Sequence, residues 1–187
     1  RVADGLAEVQ AGWGSCRASW ASELIAERLT GVTAPSFTNA AMQWGNDTEP
    51  KARDAYCFRH DADVVEIGFV DHPLIAMTGA SPDGLIGDDG LLEIKCPNSA
   101  THLDTLLGET VPGKYVTQMM WQMACTGRAW CDFASFDPRL PASMSLFVRR
   151  IERDDAMIAD LEREVAAFIA EIDDKVARLN ERYARAA

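Results

Sequence analysis

Asp83, Glu93 and Lys95 are the side chains whose types and spacing suit chemistry. They lie in the stretch Ser81-Pro82-Asp83-Gly84-Leu85-Ile86-Gly87-Asp88-Asp89-Gly90-Leu91-Leu92-Glu93-Ile94-Lys95-Cys96-Pro97, which reads as a hairpin. Asp88-Asp89-Gly90 supplies the turn: short polar side chains tolerate the left-handed region, and glycine adopts positive φ freely. Residues 91–96 then form a short strand. Strand side chains alternate, so Glu93 and Lys95 project from one face and Leu92, Ile94 and Cys96 from the other. Folding back at the turn brings the Asp83 carboxylate toward Glu93. Two carboxylates, a backbone carbonyl from the strand and a few waters make an all-oxygen site, which suits Mg²⁺ or Mn²⁺ and not Zn²⁺. Such a cation polarises a scissile phosphate and lowers the pKa of water. A neighbouring lysine helps to deprotonate, orient or stabilise the attacking water. A surface hairpin carrying an ordinary Glu/Lys pair is the competing reading of the same residues.

The elements around the hairpin follow from periodicity and punctuation. Residues 6–30 read as helix-rich, with a break at Gly12 and Gly14 and an amphipathic continuation through 22–29. A loop follows over 30–39. Thr38 or Asn39 caps a helix over 40–59, and Pro50 inside it suggests a kink near Asn46-Asp47 and a restart at Pro50. Residues 64–70 read as a strand turned by Asp71-His72-Pro73, with 74–79 as its antiparallel partner. Helices are expected over 98–107, capped by Asn98 or Ser99, and over 114–126. Strands are expected over 130–136 and 144–148, the second ending at Arg149-Arg150. The remainder, 154–185, is one long amphipathic helix or a kinked pair. This order gives an α/β fold: a mixed central β-sheet flanked by helices, with the active site at one sheet edge.

At 187 residues the chain is read as a single domain, 1–187, large enough for one substantial core. No apolar run approaches the ~20 residues of a membrane span. Five cysteines are scattered and odd in number, which favours reduced thiols over a disulfide framework or a zinc site. The three histidines, His60, His72 and His102, are isolated and read as structural. The net charge of −11 argues against a simple nucleic-acid-binding protein, but not against a nuclease with its basic groups gathered in one groove. The candidates for such a groove are Arg17, Lys51, Arg53, Arg128, Arg149, Arg150 and Arg153.

Ser81-Pro82-Asp83-Gly84-Leu85 followed by Leu92-Glu93-Ile94-Lys95-Cys96-Pro97 resembles the Pro-Asp…Glu-x-Lys nuclease superfamily, whose fold is restriction-endonuclease-like. More closely, it resembles the lambda-exonuclease, or YqaJ-type, phage recombination nucleases. Trp44-Gly45-Asn46 through Glu49 to Ala52-Arg53, Tyr115 with Gln118, Phe136-Asp137-Pro138-Arg139 and Ile151-Glu152-Arg153-Asp154 extend the resemblance over about residues 19–172.

The resemblance implies a Mg²⁺-dependent 5′→3′ exonuclease on double-stranded DNA. It would release 5′-mononucleotides and leave 3′ single-stranded tails for a single-strand annealing protein. Asp83 and Glu93 would bind metal with the Ile94 carbonyl, and Lys95 would work on the water. Glu49 would contact a metal-bound water or second metal, and Gln118 would position the water or the scissile phosphate. Ser19 matches a serine that holds the terminal 5′ phosphate. The arginine expected upstream of it falls near Gly12, so Arg17 is its only nearby substitute. Partners implied are DNA ends and two further copies in a homotrimeric ring. The location implied is the cytoplasm of a bacterial host, the gene being phage or prophage encoded. A structure-specific or restriction-type endonuclease on the same fold, or a non-catalytic DNA-end-binding module, are the alternatives.

Overall fold

The computed structural model describes residues 15–35 and 38–184. The helical start expected at Leu6 and Val9, the break at Gly12 and Gly14, and the position upstream of Ser19 lie outside these residues. The chain divides into two compact units, residues 38–155 and the two ends, 1–37 with 156–187.

The central unit is built on a five-stranded sheet. Its strands are β1 (Val64–Val65), β4 (Gly84–Ile86), β5 (Gly90–Lys95), β6 (Trp130–Phe136) and β7 (Leu146–Glu152), in the order β1-β4-β5-β6-β7. The β5–β6 pair is parallel and the other pairs are antiparallel. A parallel pair needs a crossover, and two helices supply it: α3 (Ser99–Gly108) and α4 (Gly113–Thr126). Helix α2 (Ala40–His60) packs on the opposite face. The alternation in β5 places the two layers. Leu92 and Ile94 are buried with Ala52 and Tyr56 of α2 and with Ala134, Phe136 and Leu146. Glu93 between them points the other way and meets α4.

Local signals set most helix ends. Asn39 Oδ1 accepts the Met42 N–H (2.9 Å), and Asn98 Oδ1 accepts the Thr101 N–H (2.9 Å), each capping its helix as expected. Gly127 ends α4 in the left-handed region, where a Cβ is costly. No restart occurs at Pro50: α2 runs unbroken from Ala40 to His60. Proline lacks the N–H that would bond the Asn46 carbonyl, but tertiary packing carries the helix through that single missing bond.

Three sheet expectations change. The strand expected over 64–70 is two separate pieces. Val64–Val65 joins the main sheet beside β4, whereas β2 (Val70–Asp71) pairs antiparallel with β3 (Gly79–Ala80) in a second, two-stranded sheet. Residues 74–77 form no strand. His72 Nδ1 accepts the N–H groups of Leu74 and Ile75 (3.2 and 3.1 Å), so those donors go to an imidazole rather than to a ladder. Strand β7 continues past Arg149-Arg150 to Glu152, because Arg150 lies opposite Asp132 and forms a two-pronged ion pair with it (2.8 and 3.0 Å). In the β4–β5 turn the positive φ belongs to Gly87 and not Gly90. Gly90 is a strand residue whose missing side chain admits the Trp130 ring: a Cβ there would lie 2.2 Å from ring carbons.

The other unit contains α1 (Ser15–Thr30) and most of α5 (Asp155–Ala184), the long helix read from the apolar period. Arg17 pairs with Glu171 (2.7 Å), Arg28 with Asp173, and the Arg17 guanidinium lies 4.6 Å from the Phe168 ring centroid. Ile158, Leu161, Val165 and Ile172 recur at helical spacing and are buried.

Candidate active site

The β4–β5 hairpin assembles the centre from the backbone outward. Pairing of Gly84 with Leu92 places Asp83 at the β5 flank, where its Oδ2 accepts the Ile94 N–H at 2.6 Å. Glu93 is fully buried, and its Oε1 accepts from Lys95 Nζ, two residues on and on the same strand face. A carboxylate with no solvent contact is stable only when donors surround it. The second donor comes from α4: Gln122 Nε2 gives a 2.6 Å bond to Glu93 Oε2.

Burial first, and then repulsion from Glu93, push the Asp83 carboxyl up to about 7 against the pull of Lys95 and the Ile94 N–H. Burial by itself would lower the Lys95 pKa, but Glu93 and Asp83 together outweigh it and hold the ammonium above the ordinary lysine value. The two carboxylates thus favour the charged form of Lys95. Its ammonium also lies 5.3 Å from the centroid of the Tyr115 ring, which stacks on Phe133 across from Glu93.

Helix α2 brings the third acid. Glu49 Oε1 accepts from Arg53 one turn along (2.8 Å), and the same Arg53 nitrogen reaches the Asp83 carbonyl (3.4 Å). Arg53 thereby ties Glu49 to the hairpin, and a second ion pair with Glu66 (2.7 Å) fixes the guanidinium from the far side. A cleft of about 860 Å³ opens here, with Glu49, Asp83, Ile94, Lys95 and Tyr115 on its wall. Its rim is braced by Arg139, which stacks on Trp44 (4.4 Å), pairs with buried Asp137 and donates to the Pro97 carbonyl.

The site thus gathers Asp83, Glu93, Lys95, Ile94 and Glu49. Gln118 sits half-buried on α4, one turn before the glutamine that meets Glu93. Gln122, one turn from Gln118 on the same helix face, has the weaker support from the sequence, yet it is the glutamine that bonds Glu93. Arg17 and exposed Ser19 lie on α1, in the other unit. Most cations proposed for a basic groove are engaged inside the protein. Arg53 holds Glu49, Arg128 donates to the carbonyls of Ile86, Gly87 and Gly90, Arg149 to that of Glu109, Arg150 holds Asp132, and Arg153 pairs with Asp155. His72 and His102 are buried in structural bonds, His72 stacked on Trp121 and His102 between Ser135 and the Met144 carbonyl.

The donor set fits a hard cation. Two carboxylates carry more negative charge than Lys95 balances, and every donor is oxygen. Among the described residues no three His, Cys, Asp or Glu side chains form a cage, so the Ile94 carbonyl, water and substrate oxygens would complete the shell. Mg²⁺ commonly binds in that way, through one or two carboxylates.

A YqaJ-like viral recombinase domain matches residues 10–129. The chain belongs to the YqaJ-like viral recombinase family, a lambda-exonuclease-like family. It is similar to the crystal structure of an alkaline exonuclease from Laribacter hongkongensis, with 49% identity over 99% of this chain and 93% of that one, at a TM-score of 0.92. The complex of that exonuclease with dAMP matches equally well. A phage-related exonuclease from Haemophilus somnus 129PT shares the fold at 17% identity, covering 92% of this chain and 88% of that one, with a TM-score of 0.72. Nothing among the curated proteins matches. The recombinase-family sheet, mixed and flanked by helices, is the one expected from the sequence. Among the described residues no helix is long and apolar enough to cross a membrane.

Proposed function

We propose that this protein is a Mg²⁺- or Mn²⁺-dependent exonuclease that degrades double-stranded DNA ends 5′→3′. It releases 5′-mononucleotides and leaves 3′ tails for a single-strand annealing protein. The observation that carries the reading is Glu93: a fully buried carboxylate clasped by Lys95 and Gln122, next to a substrate-sized cleft whose wall carries Asp83, Ile94 and Lys95. The exonuclease class is supported by the Laribacter enzyme, and its crystallisation with a mononucleotide supports the product. The Pro82-Asp83…Glu93-x-Lys95 pattern supports the superfamily. We assign the active form to a homotrimeric ring of single-domain subunits in the cytoplasm of a phage-carrying bacterium. A basic channel inside such a ring reconciles DNA binding with a net charge of −11.

Asp83, Glu93 and the Ile94 carbonyl would hold the cation, which when bound supplies Lewis acidity at the scissile phosphate and a lower pKa for water. Lys95, bonded to Glu93, orients water and stabilises the negative charge that develops on the phosphate. Glu49, steadied by Arg53 on the cleft wall, would contact a water on the cation or a second metal. Gln118 orients the water or the phosphate. Arg17 and Ser19 are proposed at the 5′ phosphate.

Linear duplex labelled at either 5′ or 3′ ends, digested beside a closed circle with Mg²⁺ or with chelator, tests the proposal. Early loss of the 5′ label, an intact circle and silence in chelator are expected. Cutting of the circle points to an endonuclease, and no cutting at all to a DNA-binding module.

A further inference from the structure

We infer that Gln122 is a positioning residue for divalent-cation binding, acting through Glu93; the inference rests on the metal-dependent reading of the site. Three observations carry it. Gln122 is almost wholly buried on α4 (1% exposed), so its amide was placed in the dry interior rather than left at the surface. Its Nε2 donates to Glu93 Oε2, while Lys95 holds Oε1, so the carboxylate is gripped at both oxygens and cannot rotate. Its Oε1 is buried and has no hydrogen-bond partner.

The third observation separates this glutamine from a structural one. Buried polar atoms are nearly always paired, and an unpaired amide oxygen is usually explained by a ligand, ion or water that belongs there. This oxygen sits on the side chain that grips the buried acid of a negatively charged site. An amide oxygen accepts only, so what completes it is a donor, and water ordered beside a hard cation is such a donor. Groups of this kind, one step removed from the ion, typically change affinity or activity 10–100-fold when lost. Gln118 makes no comparable contact with Glu93, although it is the glutamine that the family resemblance singles out.

The test is Mn²⁺ binding by calorimetry on the DNA-free protein, together with the Mg²⁺ dependence of DNA degradation. The variants are Gln122→Met, which keeps the volume, Gln122→Asn, which is one methylene short, and Gln118→Met. Circular dichroism and melting in chelator establish that each is folded. Both Gln122 variants should bind Mn²⁺ about 10–100-fold more weakly. Their activity should recover substantially at high Mg²⁺, and Gln118→Met should bind Mn²⁺ as the wild type does. Binding by both folded Gln122 variants within twofold of wild type, or an activity loss that no Mg²⁺ concentration restores, overturns the inference while leaving the nuclease reading intact. A wild type that binds no Mn²⁺ overturns the metal-site reading and the inference with it.

Discussion

Replacing Lys95 with alanine separates the charge balance of the site from its chemistry. The ammonium touches Glu93, which has no solvent exposure, and it also attracts Asp83. Removing one partner of a fully buried ion pair costs about 3–5 kcal/mol. Two features reduce that here. The Lys95 side chain is 26% exposed, so water can enter the space it leaves, and Asp83 is poised near 7 to take up a proton. The remaining cost is about 2 kcal/mol, which in a chain of this size lowers the melting temperature by roughly 4–8 °C. The chemical loss is larger, on the order of 10²–10³-fold, the usual effect of deleting one electrostatic stabiliser of the transition state. The two effects should respond oppositely to Mg²⁺: a divalent cation replaces the lost positive charge, so it stabilises Lys95→Ala more than wild type, yet activity stays low. Thermal melts with chelator and with Mg²⁺, beside end-labelled DNA digestion, read both. An unchanged melt in chelator, or turnover within tenfold of wild type, refutes the charge assignment.

Tyr56→Phe removes the hydroxyl that donates to Asp132 (2.7 Å) beneath the sheet; Arg150 still holds Asp132, so a loss of about 1–2 kcal/mol in urea unfolding is expected, with activity retained. Gly90→Ala drives a methyl into the Trp130 ring and should cost roughly 1–3 kcal/mol, read by the same unfolding curve. Hydrogen bonds from Arg139 hold the Asp137 carboxyl down at about 2, so its stabilisation is present above the ordinary aspartate pKa and is lost as pH falls from about 4 toward 2. Asp137→Asn should therefore flatten the stability–pH curve across that window. At neutral pH it should cost ~1 kcal/mol, a figure reduced by solvent screening at half-exposed Arg139. A curve parallel to wild type would remove that pair from the acid response.

Local chemistry in the chain was enough for the hairpin and its consequences. A period of two puts Glu93 and Lys95 on one face and Leu92 and Ile94 on the other whatever surrounds them, and Asn39 and Asn98 cap helices through bonds to residues three positions away. Three residues, Gly87-Asp88-Asp89, between the two strands leave antiparallel pairing as the short route, so Asp83 was bound to return near Glu93. What required the assembled fold was each choice among distant partners. Val64–Val65 and Val70–Asp71 share one apolar stretch but belong to different sheets, because β4 and β3 compete for them from elsewhere in the chain. The backbone donors of Leu74 and Ile75 went to His72, and Arg149-Arg150 stayed within a strand because Asp132 lies opposite. Gln122 and Gln118 are alike in sequence, one turn apart on the same helix. Only the rotation of α4 over β5 gave the Glu93 contact to Gln122, since the phase of a helix against its sheet is set by packing across the whole interface and not by residues near either glutamine.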